Sequence, residues 1–229
     1  MKRQLLIAAL LIVVVAGAYT VWCKFYRDVP QPLWIGADQR DEFLYGAVDA
    51  GEVQGIPYWI WLVLPRLFPE YMPRPGGYAS LGISWEETLE MPAGFAKKTV
   101  GYVRVTANCA LCHASSSSAG SDGVPTVVLA PAGAIRSIQP VLTFYRQCAQ
   151  DPRFNASEIL AEVDNAIKLS VVDKLIYRYV LIPRTKKALL NPESVILTPE
   201  LVAHAGHPQA GLSGQRLKKL ADWMKTQRP

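Results

Sequence analysis

From Leu5 to Trp22 the chain runs for 18 residues, LLIAALLIVVVAGAYTVW, without a charge. No other feature limits the fold so strongly. At helical rise this run nearly spans the hydrocarbon core of a bilayer. Lys2 and Arg3 precede it, Lys24 and Arg27 follow it, and Trp22, Phe25 and Tyr26 supply aromatic rings suited to a membrane interface. Residues 1–27 therefore read as a signal anchor, one N-terminal transmembrane helix. The competing reading is a cleavable signal peptide, because Ala16-Gly17-Ala18 is a small-residue cleavage pattern. A lipoprotein signal fits poorly, since Trp22 is bulky for the position before a modified Cys23. Both main readings export everything that follows.

The rest of the 229-residue chain has one composition throughout and no internal repeat. Half of all residues are apolar, enough for a packed core. The net charge of +5 is small and scattered, with no Lys/Arg run carrying interleaved aromatics, so nucleic acid is not an expected partner. Such a surface suits an acidic redox partner, anionic lipid, or simple solvation. Residues 28–41, rich in Pro, Gly and polar side chains, read as a linker, and residues 42–229 as one domain.

Within that domain, Glu42 to Gly51 reads as a short helix. Gly55 to Pro69, crowded with Tyr58, Trp59, Trp61 and Phe68, reads as a buried helix too short to cross a bilayer. Pro69 to Gly82 reads as a loop, Val100 to Thr106 as a β-branched stretch, Ser115 to Gly123 as a low-complexity loop and Thr126 to Ala130 as extended chain. Ile138 to Gln150 has helical periodicity. Asn155 with Glu158 fits a capping box for a helix whose pattern continues to Tyr179, with Pro183 as its expected stop. A last amphipathic helix is expected from Ser213, with Leu217, Leu220, Ala221 and Met224 on one face. The fold class expected is mainly α, a cytochrome c-like domain with long loops.

The chemistry concentrates in Cys109-Ala110-Leu111-Cys112-His113, the attachment pattern of c-type haem. Two thiols three residues apart on one helical turn reach both vinyl groups of one macrocycle, and the next residue places its imidazole under the iron. A redox dithiol would not need His113, and a zinc ribbon would need a second Cys pair, which the chain lacks. The expected cofactor is one covalent haem c, held by Cys109 and Cys112 with His113 on iron. Arg104, Arg136 and Lys97 are candidate partners for the propionates, or ordinary surface charges. Cys148 reads as a buried, inert thiol, with a Cys23–Cys148 disulfide as the alternative.

The sixth iron position separates an electron carrier from a site open to oxygen or peroxide. His207 is the expected ligand there. His204, Met91 and an open position are the alternatives; Met72 is a further methionine candidate, and Met224 reads as packing.

Several longer words carry a resemblance: Gly55-Ile56-Pro57-Tyr58-Trp59-Ile60-Trp61, Pro75-Gly76-Gly77-Tyr78-Ala79-Ser80-Leu81-Gly82, the haem motif, Cys148-Ala149-Gln150-Asp151-Pro152-Arg153-Phe154 and Ile182-Pro183-Arg184-Thr185. Over residues 40–190 they resemble the N-terminal half of the rubber oxygenase and di-haem cytochrome c peroxidase-like proteins. The resemblance implies an exported, mainly helical protein with c-type haem. It also implies a second haem domain with its own Cys-x-x-Cys-His, which this sequence does not contain. Gly206-His207 and the final amphipathic segment resemble the tail of that second domain, where a Gly-His supplies a distal ligand. With one haem motif, the expected activity is single-electron transfer in the bacterial periplasm, from a domain tethered to the inner membrane. The expected partner is a redox protein or a larger membrane redox complex. The alternative is a haem oxygenase or peroxidase with an open distal face.

Overall fold

The computed structural model describes residues 2–29, 39–47, 55–86, 89–117, 126–129 and 137–196. The expected helix after Ser213, together with His204, His207, Met224 and Arg136, lies outside these residues, as do 30–38 of the linker and 118–123 of the Ser/Gly segment. Helices take up 61 % of the described residues, which fixes the class as mainly α.

The uncharged run forms helix α1, Lys2–Phe25. Its stretch Arg3–Phe25 has a mean hydropathy of 2.5 and is long and apolar enough to cross a membrane. Its apolar side chains face outward, with Leu6 at 71 % exposure. Inside this apolar run the Thr20 hydroxyl donates to the Ala16 carbonyl at 2.8 Å, one turn back.

The chain does not leave α1 as a free linker. Strand β1, Asp28–Val29, pairs antiparallel with β3, Phe95–Val100. Helix α2 covers Gln39–Tyr45, three residues earlier than the sequence pattern suggests. Asp41 and Glu42 sit in its first turn, where acidic side chains favour a helix start. Strand β2, Ile56–Pro57, leads into helix α3, Tyr58–Leu67, and β3 turns at Gly101 into β4, Tyr102–Ala107. The four strands form one antiparallel sheet in the order β1-β3-β4-β2. After β4 come helix α4, Ala110–His113, strand β5, Ala114–Ser117, and strand β6, Thr126–Leu129, which pairs with β5. The Ser-rich stretch is therefore strand at Ser115–Ser117, because hydrogen bonding across to Thr126–Val128 outweighs the low strand preference of serine.

Helices α5, Gln139–Gln150, and α6, Ala156–Ala166, follow the apolar periodicity closely. Asn155 caps α6 by accepting from the backbone N–H groups of Ser157 at 2.9 Å and Glu158 at 3.1 Å. The pattern from Asn155 to Tyr179 is two helices rather than one. α6 ends at Ala166, and Ser170 caps a new helix α7, Val171–Ile176, through the Asp173 N–H. Pro183 does not stop the chain either. A wide π turn over Tyr177–Leu181 leads straight into helix α8, Ile182–Leu189, with Pro183 in its first turn. In a regular helix the proline ring would strike the carbonyl four residues back, at Tyr179; the wider turn removes that clash. A last short helix, α9, covers Glu193–Ile196. The expected loop Pro69–Gly82 contains two 3₁₀ turns, Pro69–Tyr71 and Gly77–Leu81.

The main core sits between α3, α5, α6 and α8. Its hub is Trp61, stacked on Tyr78 with ring centres 4.3 Å apart and planes 9° from parallel. The Trp61 indole N–H donates to the Tyr145 hydroxyl at 3.0 Å, and the Tyr78 hydroxyl donates to the Trp61 carbonyl at 2.7 Å. Every polar tip in this stack thus has a partner, which makes burial of three large rings affordable. Cys148 is buried here as a free thiol and Cys23 is also free, as expected without a disulfide.

Candidate functional site

The Cys-x-x-Cys-His segment is held in place by its neighbours along the chain and across the sheet. Cys109 opens α4, and one turn closes over it: the amides of Cys112 and His113 donate to its carbonyl at 3.3 and 3.2 Å. Ala110 and Leu111 point inward and are buried, while Cys109, Cys112 and His113 are half-buried. The single turn therefore sorts the five residues. The two apolar ones anchor the turn, and the three reactive ones keep a face toward solvent.

Two residues that the sequence reading passes over make this seat. Asn108 is 2 % exposed, so each of its polar atoms must find a protein partner. Its side-chain amide donates to the carbonyls of Leu44 at 3.2 Å and Gly46 at 2.9 Å, and its side-chain oxygen accepts from the Ala110 N–H at 3.0 Å. One side chain thus ties the C-terminal end of α2 to the start of α4. An Asn directly before the motif is a helix-start signal, so this role was readable. Gly94 is the other. Its φ is +90°, and a Cβ there would overlap the Leu111 backbone. Its N–H donates to the Leu44 carbonyl at 2.9 Å and its carbonyl accepts from the Asn108 N–H at 2.9 Å. Nothing in the local sequence announces that close approach.

A small apolar cluster lies behind the segment: Leu44, Tyr45, Ala93, Ala110, Ala114 and Val127. Burial, with Glu86 adding to it, pushes the Tyr45 phenol up to about 12, so it stays neutral at ordinary pH. Glu86 accepts from the Val127 N–H at 3.1 Å and from Arg40 at 3.2 Å, which fastens the β5–β6 pair to α2.

Burial also raises both motif thiols, Cys109 and Cys112, above the ordinary cysteine value. A dithiol built for exchange needs the opposite shift. Among the described residues no group of three or more His, Cys, Asp or Glu is placed to hold a metal ion. The donor set that remains is two unbonded thiols and one imidazole on a single turn, half open to solvent. That set fits a covalently attached haem.

The other named residues fall elsewhere. Lys97 pairs with Glu90 at 2.7 Å and stands over the Tyr58 ring. Arg104 is not a surface charge: it is 4 % exposed, in register with Pro57, with its guanidinium 4.0 Å above the Tyr102 ring. Met91 is 1 % exposed in the main core, and Met72 packs against the same core. No protein-family model, no curated protein and no solved structure matches the chain.

Proposed function

We propose that this chain is a membrane-anchored mono-haem c-type cytochrome that passes single electrons in the periplasm, as a carrier or as a subunit of a larger redox complex. One observation carries the reading. Cys109 and Cys112 are free thiols on the same turn as His113, held there by a buried Asn108 and a glycine that accepts no side chain. Cys109 and Cys112 would each form a thioether to the macrocycle, and His113 would ligate the iron. When bound, the haem supplies reversible one-electron chemistry, whose potential depends on axial ligand and burial. The protein's own contribution is positional. The short turn fixes the spacing of the three donors, and the Asn108 clamp keeps that turn from unwinding.

A membrane location rests on α1, the only described helix long and apolar enough for a span. An exported domain agrees with c-type attachment, which takes place outside the cytoplasm, and with an N-terminus that stays inside.

The packing of Met91 and Met72 in the core gives weight to a second reading, a haem with an open distal face and oxygen or peroxide chemistry. His207 and His204 remain the imidazole candidates for the sixth position.

The full chain, produced in a host that attaches c-type haem, should show a haem band that survives denaturing electrophoresis. Cys109→Ala with Cys112→Ala should abolish that band. Loss of haem from the wild-type chain under denaturation overturns the proposal. For the loaded protein, a low-spin ferric EPR signal and no carbon monoxide binding after reduction support the electron carrier. A high-spin signal with ready carbon monoxide binding selects the open-face enzyme.

A further inference from the structure

Outside α1, the densest exposed apolar surface lies on the rod that begins with α7. Val171 is 76 % exposed, Val172 51 %, Leu175 51 % and Tyr179 71 %. Val172, Leu175 and Tyr179 stand one, four and eight residues after Val171, which at helical spacing groups the four on one face, while Tyr177 and Leu181 on the opposite face are buried. A helix on the surface of a water-soluble protein carries its polar side outward; this one carries its apolar side outward. Lys168, just before α7, and Arg178, within the π turn, are exposed.

The place of this face relative to α1 says what covers it. Asp173 of α7 pairs with Lys24, in the last turn of α1, at 2.6 Å. The Gly101 amide donates to the Arg27 carbonyl at 2.8 Å, and a Cβ on Gly101 would overlap the backbone of Lys24 and Phe25. The β1–β3 pairing sets Asp28 opposite Val100. The exit end of α1 is thus fastened to the domain by an ion pair, a backbone hydrogen bond and a strand. A helix from Arg3 to Phe25 is about 34 Å long, so it crosses a hydrocarbon core of ~30 Å and leaves it near Trp22 to Phe25. α7 starts beside that exit point.

We propose that α7 and the π turn after it lie in the interface of the same bilayer that α1 crosses. Val171, Val172, Leu175 and Tyr179 enter the boundary between headgroups and acyl chains, and Lys168 and Arg178 meet anionic headgroups. This rests on the reading of α1 as membrane-spanning. Trp22 and Tyr26, 50 % and 66 % exposed at the same level, continue the surface as interfacial aromatics. The domain is then held against the membrane by one fixed face instead of swinging on a linker.

The test uses the full chain in nanodiscs of phosphatidylcholine and phosphatidylglycerol that carry a lipid with a diazirine on its acyl chain. After irradiation, mass spectrometry of the digest should find lipid adducts on α1 and on residues 171–179. In a Val172→Glu, Leu175→Glu variant the adducts on 171–179 should fall several-fold while those on α1 persist. Adducts on α1 with none on 171–179 overturn the proposal and leave the anchor standing. No adducts on α1 overturn the anchor reading itself, and the proposal with it. Shielding of 171–179 from hydroxyl radicals without lipid adducts means that a protein covers this face, which also overturns it.

Discussion

The two apolar clusters of the domain are built from different materials. Around Trp61 the side chains are large, and Tyr145, Phe68, Phe95, Phe144 and Phe154 are fully buried. Behind Cys109 three of the six buried members are alanines: Ala93, Ala110 and Ala114. The first cluster removes much apolar area from water and holds itself together by packing. The second has little area to bury, and its parts are joined by hydrogen bonds through Asn108, Gly94 and Glu86. The fold therefore packs its large rings in one place and sets its reactive residues at the margin of that core, which Leu111 of the reactive turn joins. The reactive turn depends on a polar clamp more than on a core of its own.

The largest effect that could break this contrast is Trp61→Ala. Truncating a buried Trp costs about 3–5 kcal/mol, and this one also leaves the Tyr145 hydroxyl without its donor. Urea unfolding should show that loss across the whole domain, with amides in α3, α5 and the motif losing exchange protection together. A loss under about 1 kcal/mol would mean that the aromatic core is not what the rest leans on. Next comes Gly94→Ala, where a φ of +90° and the overlap with Leu111 act together. A strained backbone of this kind costs about 1–3 kcal/mol. The damage should stay local: faster exchange in 108–114, little change in α5 and α6. Equal loosening of both regions would dissolve the distinction between them. Asn108→Ala is smaller again. It removes the side-chain donor of the part-buried Gly46 carbonyl and one of the two donors on the Leu44 carbonyl, which keeps the Gly94 N–H, at about 1–3 kcal/mol in all, and it should lower the yield of covalent haem more than it lowers the urea midpoint.

The legibility of the two regions differs for the same physical reason. Large apolar residues leave a periodic trace, so α3, α5 and the start of α6 are readable within a few residues, as is the Asn155 cap, whereas the end of α6 at Ala166 is not. The long apolar helix α1 is readable from the absence of charge alone. Hydrogen-bonded architecture leaves no such trace. The pairing of β1 with β3, the strand at Ser115–Ser117 and the approach of Gly94 to Leu111 all depend on partners far along the chain. Pro183 shows a local rule overridden, since a wide turn just before it lets the helix continue. At the site the three donors are legible from their spacing, and the clamp that seats them is only half so. Asn108 sits where a cap belongs, yet its reach to α2 is a tertiary fact.

The contrast also predicts where acid acts first. Asp151, at the end of α5, accepts hydrogen bonds from the Arg153 side chain at 2.8 and 3.1 Å, from the Arg153 amide at 2.7 Å and from the Tyr71 hydroxyl at 2.8 Å. These contacts, Arg153 foremost, hold its carboxyl well below the usual carboxylate range. Its unfolded value is about 3.9. A group whose folded value is depressed stabilises the fold above the unfolded value and loses that contribution as pH falls toward the folded one. Urea midpoints of wild type and Asp151→Asn should therefore differ by a constant amount from pH 7 to about pH 5 and converge below about pH 4. The acid-sensitive exchange should appear at the α5–α6 junction, where Lys186 also donates to the carbonyls of Asp151 at 3.2 Å and Phe154 at 3.0 Å. A gap that stays constant down to pH 3 would show that the Asp151 charge adds nothing, and that the large core rests on packing alone even at its charged edge.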